Sequence, residues 1–240
     1  MTIAVFSVVS HRQLHLVSTF LLDYRALNLH LFPILLTLNI PEDESILSDF
    51  LDLPIRVLRN RSPLGFGANH NQAFQTVATD YFCVINPDIR MPFFSIQALL
   101  ATFKADRVGV AVPVVLSTVG SVEDSVRRFP TVRRLLSRVV LGRRKPDYVG
   151  AAEPLAVDWA AGMFMAFRSD AFRLVAGFDT RYFMYFEDAD ICRRLGKLGW
   201  LTLLQPATSV VHNAQRASRR NWQHIRWHLA SAVRFLFLSR

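Results

Sequence analysis

The amino-acid sequence predicts an α/β fold with a mostly parallel central sheet flanked by helices. Short apolar segments that suit buried strands recur through the first half of the chain, and polar or turn-forming residues bound each one. Longer segments between them repeat apolar residues at helical spacing. Because strands that alternate with helices form parallel sheets covered on both faces, these patterns favour this fold class.

The predicted elements follow one another along the whole chain. Strands are expected at residues 3–9, 31–38, 55–58, 81–85, 108–115 and 157–167, and shorter ones at 201–204 and 209–211. Helices are expected at residues 11–27, 68–78, 92–103, 169–176 and 218–240, and another is expected to begin near residue 187 and to end at Gly199. Ligands in such sheets bind beyond the carboxyl ends of the strands, so the polar residues there are expected to share one crevice.

Composition narrows the class of protein. The 240-residue chain suits a single domain, and its 51% hydrophobic and 20% charged residues exclude a disordered protein. A formal net charge of +9 favours polyanionic partners, namely nucleic acid, anionic lipid or phosphorylated substrates. Cys83 and Cys192 lie far apart, fit no metal-binding spacing and are expected to be buried thiols.

The first residues lack the basic start of a signal peptide, and no run of about 18 apolar residues marks a membrane-spanning helix. We therefore expect a cytoplasmic protein that lies peripherally on the inner face of the cell membrane. Two basic segments support the membrane contact. Residues 127–145 carry eight arginines and lysines with no acid between them, and residues 218–240 carry five arginines and no acid.

Each basic segment has two interpretations. Residues 127–145 can belong to a solvated insertion, or they can form a lid or a surface that faces phosphate or lipid. The tail, rich in aromatic residues, can lie in a membrane interface or pack on its own domain, because amphipathicity alone does not separate the two. We expect residues 1–217 to form the main domain, with an insertion at 116–156 between halves at 1–115 and 157–217, and residues 218–240 to form a separate helix.

The segment 60–71 is a glycine-bearing loop between a strand and a helix. Such a loop can bring backbone N–H groups and a helix N-terminus to a phosphate. It is no dinucleotide fingerprint, because His70 stands where a third glycine would follow Gly65 and Gly67, and it lacks the Gly-Lys-Ser/Thr of a P-loop. An ordinary connection is the alternative.

Two further motifs follow strands. The sequence Asn86-Pro87-Asp88 can be a turn, or Asp88 can hold a divalent cation against a diphosphate, since hard cations prefer carboxylate oxygen. His212, after a short strand, can be structural or a ligand.

The densest polar cluster is the stretch 177–200, where five aromatic residues and several carboxylates come just before or at the start of a helix. Glu187, Asp188 and Asp190 would lie in the first helical turn, where negative charge is favoured. They can cap the helix, or a carboxylate beside apolar rings can serve as a general base.

Together these motifs resemble glycosyltransferase family 2, with its Rossmann-like GT-A fold, and in particular the bacterial rhamnosyltransferase-like members. The resemblance extends from residue 5 to about residue 218. Its most specific parts are residues 64–71, 85–88, 159–163 and 177–199.

The resemblance implies an inverting transfer of a sugar from a nucleotide-sugar donor. The first candidate for the sugar is L-rhamnose, and the donor would be dTDP-rhamnose or a UDP-sugar. The acceptor would be a hydroxyl of a lipid-linked or cell-surface glycan, and the cofactor Mg²⁺ or Mn²⁺. It implies catalysis by Asp188 with support from Glu187, and a metal site at Asp88 and His212. The implied acceptor contacts are Trp159, Gly162 and Asp190. The implied donor contacts are Ser10, Asn39, Asn60, Gly65, Phe66, Asn71, Asn86 and Asp88.

The sequence departs from the family pattern at two places. Asn86 stands where many members have an aspartate, which leaves one firm metal carboxylate and predicts low affinity for free metal without nucleotide. Residues 38–43 stand where many members have an acidic turn, which weakens the expected contact between Asn39 and the base of the nucleotide.

Two other classes of protein stay open at this point. One is a catalytically silent, membrane-associated subunit that binds glycan or nucleotide-sugar. The other is a nucleic-acid-binding protein, which is disfavoured because the chain carries no recognised nucleic-acid motif.

Overall fold

The computed structural model describes residues 2–134, 146–148, 152–213 and 222–238. The main sheet consists of β1 (Thr2–Ser10), β2 (Ile34–Leu38), β3 (Ile55–Arg59), β4 (Thr79–Ile85), β5 (Ile89–Arg90), β6 (Val108–Ser117), β8 (Leu155–Val157), β10 (Phe164–Arg168) and β11 (Leu201–His212). A second, small sheet pairs β7 (Val126–Arg127) with β9 (Trp159–Ala160). Strands and helices in this arrangement confirm the predicted α/β class.

The helices are α1 (Leu14–Ala26), α2 (Phe66–Phe74), α3 (Ile96–Ala101), α4 (Ser169–Leu174), α5 (Glu187–Lys197) and α6 (Trp222–Val233). Short 3₁₀ turns cover Ser45–Phe50 and Thr102–Lys104, and a π-helical turn at Arg234–Leu238 continues α6.

The strand order in the main sheet is β3-β2-β1-β4-β10-β6-β11-β5, with β8 also paired to β11. The first four of these strands run parallel, and β10 inserts antiparallel between β4 and β6. Strand β11 is parallel to β6, whereas β5 and β8 are antiparallel to β11. The carboxyl ends of β1 to β4 therefore meet at one edge, where the sequence places its polar residues.

Apolar residues cover both faces of the sheet. On one face, α1 and α3 pack on inward side chains such as Phe6 and Ile85. On the other face, α2, α4 and α5 pack on side chains such as Val84 and Phe167. Both cysteines are buried free thiols, as predicted. Two separate hydrophobic layers with one sheet between them hold the loops at the sheet edge in place.

The structure corrects the prediction of two strands around Pro206. Residues 201–212 form one strand, and its pairing with β6 shifts register between Gln205 and Ser209. Proline has no N–H to donate to a ladder, so a register shift lets the strand continue past it. The two-residue strands β5 and β7 were not predicted, because two residues carry no periodicity.

The C-terminal segment packs on its own domain. Ser231 Oγ donates to the carbonyl of Met184 (2.9 Å), and the Tyr185 hydroxyl lies 2.8 Å from His224 Nδ1. The packing alternative is therefore confirmed for one face of α6. The opposite face is exposed, so the structure leaves the membrane alternative open for that face.

None of the helices in the described ranges has the length and apolarity needed to cross a bilayer. Several arginines and one lysine of the two predicted basic surfaces lie outside the described residues: Arg138, Arg143, Arg144, Lys145, Arg219, Arg220 and Arg240. The domain boundaries after residues 115, 156 and 217 stay predictions.

Candidate active site

Asp188 lies in the first turn of α5 and is held by two backbone donors. The N–H of Gly162 donates to its Oδ2 (3.0 Å), and the N–H of Ala189 donates to its Oδ1 (2.8 Å). Asp188 as a residue is neither fully buried nor exposed. The carboxylate therefore binds one N–H in the first turn of α5 and one in the loop that carries Gly162, and its role as general base stays a prediction.

Burial raises the pKa of Asp188, although the two N–H donors and the guanidinium of Arg127 act in the opposite direction. Burial raises the pKa of Glu187 even further, and the neighbouring charge of Asp188 adds to the effect. Glu187 Oε2 is buried without a hydrogen-bond partner among the described residues. Two carboxyl groups whose pKa values are both raised by burial thus stand side by side.

Asp190, the third carboxylate of this turn, has a different environment. Its side chain is 2% exposed and binds Arg194 through Oδ2 (2.7 Å), with Arg193 at 3.6 Å from Oδ1. Arg194 also donates to the carbonyls of Val175 and Gly177. Asp190 therefore pairs with Arg194, which ties α5 to residues 175 and 177, and the contact of Asp190 with an acceptor stays a prediction.

The backbone just before the carboxylates is strained. Tyr185 and Phe186 have φ angles of 74° and 66°, a left-handed conformation that aromatic residues rarely adopt. Such a conformation costs about 1–3 kcal/mol per residue and persists only where the surroundings hold it. The direction in which α5 begins, and with it the position of Asp188, depends on this turn.

A second polar cluster joins Asp88, His212 and Glu123. His212 Nε2 lies 3.2 Å from Asp88 Oδ2, and His212 Nδ1 lies 2.9 Å from Glu123 Oε2. Burial by itself lowers the pKa of His212, but the two carboxylates outweigh it and raise the pKa to about 9. A histidine whose Nδ1 is fixed by a carboxylate presents its Nε2 in one orientation, as metal-binding histidines do.

The cluster fits a divalent cation with incomplete protein coordination. Asp88 Oδ1 is buried and has no partner among the described residues, so it can accept a ligand. Within those residues no three His, Cys, Asp or Glu side chains are arranged to hold a metal ion together. Asp88 and His212 can supply two ligands, and phosphate oxygens or water would have to supply the others.

The loop between β9 and β10 contacts Asp188 and residues next to the second cluster. The N–H of Asn86 donates to the carbonyl of Met163 (2.9 Å), next to Gly162, which binds Asp188. The N–H of Ala161 donates to the carbonyl of Ser125, two residues after Glu123. Residues 161–163 thus connect the strand-end turn with the start of α5.

Trp159 and Arg127 form one side of this region. Trp159 is buried, and its Nε1 donates to the carbonyl of Arg128 (3.0 Å). The Arg127 guanidinium lies 5.5 Å from the centroid of the Trp159 ring and is paired with Asp124 at 3.0 Å. The indole of Trp159 therefore serves first to support the small sheet, and its contact with an acceptor stays a prediction.

The polar residues at the ends of β1 to β3 form a hydrogen-bonded network with each other and with the adjacent loop. Asn39 Oδ1 accepts from Asn60 Nδ2 (2.9 Å) and from the N–H of Leu64 (2.8 Å). Ser10 Oγ accepts from the N–H of Gln13 (3.0 Å). Asn60 Oδ1 is buried and unpartnered among the described residues, so it keeps an acceptor available for a ligand. Direct donor contacts of Ser10 and Asn39 stay predictions.

The glycine loop packs on the turn before α5. A Cβ atom at Gly65 would come within 2.5 Å of the carbonyl oxygen of Phe183, and the N–H of Phe66 donates to that same oxygen (3.0 Å). Asn71 binds both the N–H and the carbonyl of Phe178. The hydrogen bond from the Phe66 N–H to the Phe183 carbonyl explains why α2 begins at Phe66, two residues before the predicted start.

Phe66 also reaches the loop at Gly162, where a Cβ atom would lie 3.1 Å from its ring. The loop with Gly65, Phe66 and Asn71 is therefore fixed against the segment that carries Asp188. Its donor contacts stay predictions.

Sequence reasoning missed two residues of the site, Glu123 and Arg127, as individual contributors. The signal for Glu123 was its position: Glu123 and Asp124 are the only acids between residues 117 and 146. Arg127 was visible only as one member of the basic segment. Arg127 lies in the two-residue strand β7 and pairs with Trp159, which distinguishes it from the other arginines of the basic segment.

Comparison with known proteins identifies the family. The model of the family described as glycosyl transferase family 2 matches residues 41–171. An N-acetylglucosaminyl-diphospho-decaprenol L-rhamnosyltransferase of Mycobacterium tuberculosis is 33% identical over 204 residues, which cover 76% of this chain and 66% of the relative. The rhamnosyltransferase WbbL of Escherichia coli K12 is 32% identical over 188 residues, which cover 73% of this chain and 71% of WbbL. The chain thus spans just under two thirds of the mycobacterial relative's length.

Solved glycosyltransferases share the fold at low identity. The structure of GalNAc-T7 with UDP, GalNAc and Mn²⁺ superposes with a TM-score of 0.69 at 15% identity. The match covers 98% of this chain and 47% of the GalNAc-T7 chain. The mannosyltransferase PcManGT of Pyrobaculum calidifontis, in complex with GDP-Man and Mn²⁺, gives a TM-score of 0.63 at 15% identity over 96% of this chain and 64% of its own. These similarities confirm the GT-A fold. With the family match over more than half of its length, the chain belongs to glycosyltransferase family 2.

Proposed function

We propose that this glycosyltransferase moves L-rhamnose, with inversion, from dTDP-rhamnose to a hydroxyl of a lipid-diphosphate-linked sugar. One observation carries the proposal: the Asp188 carboxylate is fixed by two N–H donors beside the loop that leads to Asp88. A carboxylate with a raised pKa is suited to accept a proton from an acceptor.

The reaction is a single displacement at the anomeric carbon. The acceptor oxygen forms the new bond to that carbon as its proton passes to Asp188, and the bond from the carbon to the diphosphate oxygen breaks. The nucleoside diphosphate leaves from the opposite face, so the configuration inverts. Glu187, whose pKa is raised by burial and by the charge of Asp188, would in its protonated form donate a hydrogen bond to the acceptor or to Asp188.

Asp88 and His212 would hold Mg²⁺ or Mn²⁺ against the donor. When bound, the cation offsets the negative charge that develops on the leaving diphosphate. Glu123 holds His212 through Nδ1 and so keeps Nε2 directed toward Asp88. Two protein ligands suit a cation that arrives with the nucleotide rather than one that the free protein retains.

The names of the relatives guide the choice of substrates. One relative is named for L-rhamnose and N-acetylglucosaminyl-diphospho-decaprenol, and another is a rhamnosyltransferase. A lipid diphosphate acceptor also agrees with the net charge of +9, because clustered arginines attract phosphates. UDP-sugars are the second choice of donor.

A panel of nucleotide-sugars, read by thermal unfolding with and without Mn²⁺, tests the proposed donor. We expect dTDP-rhamnose to raise the unfolding temperature more than UDP-glucose or GDP-mannose, and only when Mn²⁺ is present. A ligand at 100 times its Kd stabilises the native state by about 2.7 kcal/mol, which such a measurement detects readily.

Other outcomes of the panel select other functions. Binding of dTDP-rhamnose without any turnover on a polyprenyl-diphosphate-GlcNAc acceptor would favour a silent binding subunit. No response to any nucleotide-sugar, together with salt-sensitive binding to DNA, would favour a nucleic-acid-binding protein.

We also propose that α6 lays its exposed face on an anionic membrane, at the cytoplasmic side where a lipid-linked acceptor would be reached. Trp222, Ile225, Leu229 and Val233 are exposed and follow each other at three- or four-residue spacing, so they form one apolar stripe. No acid occurs after residue 212. Each arginine near such a surface contributes roughly 1 kcal/mol of attraction.

Vesicle binding tests the stripe. The double variant Trp222→Ser, Leu229→Ser is expected to co-sediment much less than the unmodified protein with vesicles of phosphatidylglycerol and phosphatidylcholine. The matched control is Leu31→Ser, Leu51→Ser, which removes two equally exposed leucines elsewhere on the surface. Equal sedimentation of both variants would show that the stripe does not contact lipid.

A further inference from the structure

We propose that the inner face of the C-terminal segment Trp222–Leu238 positions the catalytic carboxylate, by holding residues 184–186 in their left-handed turn. The inference rests on the proposed function, in which Asp188 is the base. It adds a second task to the helix, one that does not need a membrane.

The turn requires an external support. Tyr185 and Phe186 both have positive φ, and Phe186 is the residue from which α5 starts. No side chain caps that end of the helix. A left-handed pair of aromatic residues persists only where neighbouring groups hold it, so the atoms that contact the turn determine how α5 begins.

Two polar contacts from α6 hold the turn at its backbone and at its tip. Ser231 is buried, and its Oγ donates to the carbonyl of Met184 (2.9 Å). The hydroxyl of Tyr185 lies 2.8 Å from His224 Nδ1. Ser231 and His224 are seven residues apart, so they lie on the same face of α6, opposite the exposed stripe.

Aromatic packing holds the last residue of the turn. The ring of Phe186 lies 5.2 Å from that of His228 and 5.6 Å from that of Phe235. Phe235 is 2% exposed and also lies under the guanidinium of Arg193, whose central carbon is 3.7 Å from its ring centroid. Arg193 Nη1 donates to the carbonyl of Phe235 (3.0 Å). The C-terminal segment therefore contacts both the turn and α5 itself.

The segment is well placed to affect geometry without determining the fold. It pairs with no strand of either sheet, and the layers on both sides of the main sheet are formed largely by other elements. Loosening it should therefore shift the turn and Asp188 while the central sheet stays folded. A carboxylate displaced by about 1 Å costs on the order of 10²-fold in rate.

Two phenylalanines two residues apart provide a matched test. Phe235→Ala removes the ring that packs on Phe186, whereas Phe237→Ala removes a ring that is 69% exposed. With a water-soluble acceptor and no lipid, we expect Phe235→Ala to lower kcat about 10–100-fold and to leave the KM for the donor unchanged. Phe237→Ala should match the unmodified protein, and Phe235→Leu should recover part of the rate.

Hydrogen–deuterium exchange gives a readout that does not depend on turnover. We expect the amides of residues 183–190 to exchange faster in Phe235→Ala than in Phe237→Ala, while those of β1 and β4 stay protected in both. If Phe235→Ala does not fold, Ser231→Ala and Tyr185→Phe each remove one polar contact and should show smaller effects of the same kind.

Unchanged kcat and unchanged exchange in folded Phe235→Ala would overturn the positioning role. That result is separable from a failure of the proposed function, because near-normal transfer by Asp188→Asn would remove Asp188 as the base. Faster exchange at residues 183–190 would in that case still support the contact between the helix and the turn.

Discussion

Replacing Asp188 with asparagine is expected to remove most sugar transfer and to leave donor binding intact. The amide keeps the shape of the side chain and one oxygen that can accept from Gly162, but it cannot accept the proton of the acceptor hydroxyl. General base catalysis contributes about 10²–10⁴-fold, so kcat should fall by that factor. Single-turnover assays with dTDP-rhamnose, beside thermal shift with the same donor, measure the two effects separately.

The control is Asp170→Asn, which neutralises an exposed carboxylate paired only with Arg173 among the described residues. It changes the net charge by the same amount and should leave kcat unaltered. Near-normal turnover by Asp188→Asn, in a preparation in which this control is also active, would exclude Asp188 as the base.

The pH dependence of kcat offers a further check on the same residue. Burial raises the pKa of Asp188, so the ionised form that can take a proton is lost at a higher pH than for an ordinary aspartate. The rate should therefore fall as the pH falls through that raised value. An acid limb at the position of a solvent-exposed aspartate would show that Asp188 does not control the rate.

The sheet was predictable from the sequence because its strands are long enough to show a pattern. Residues 3–9 and 81–85 are apolar runs bounded by polar residues, and the structure pairs them as neighbouring parallel strands. The helix that carries Asp188 was predicted from its apolar spacing and its acidic first turn. These features depend on residues close together in the chain.

The arrangement of the candidate site depends on contacts between distant residues, and these the sequence does not encode locally. Asp190 looked like its neighbours in the acidic turn, yet it is buried against Arg193 and Arg194. Asn71 is a predicted donor contact that also binds Phe178, 107 residues away, through both amide atoms. A side chain's partner is set by tertiary packing, so residue type and spacing could name candidates but could not separate supporting residues from those that face a ligand.

Removing the divalent cation is the second change with a large expected effect. Asp88 Oδ1 is buried and has no partner in the part of the chain that the structure describes, and Asp88 Oδ2 lies 3.2 Å from His212 Nε2. A carboxylate placed in this way is expected to hold the cation that stabilises the leaving diphosphate, a contribution of several kcal/mol. We therefore expect EDTA, or Asp88→Ala, to lower kcat/KM by on the order of 10²-fold or more and to weaken donor binding.

The control for this variant lies on β4, the strand that precedes Asp88. Asp80→Ala removes an exposed carboxylate near the start of β4, at the end of the strand opposite to Asp88, and should leave the metal dependence of the rate unchanged. Calorimetric titration of Mn²⁺ into the protein, with and without dTDP, measures affinity directly. Because only Asp88 and His212 are proposed as protein ligands, Mn²⁺ should bind weakly alone and more tightly with the nucleotide.

Glu123→Gln tests whether Glu123 orients His212 as a metal ligand. The amide keeps a hydrogen bond to His212 Nδ1 but loses the charge that makes the imidazole a stronger ligand. Loss of such a partner lowers metal affinity about 10–100-fold, so a higher Mn²⁺ concentration should restore the rate of Glu123→Gln but not that of Asp88→Ala. Full activity of all three proteins in EDTA would mean that the transfer needs no metal, and His212 would then serve to neutralise the two carboxylates that flank it.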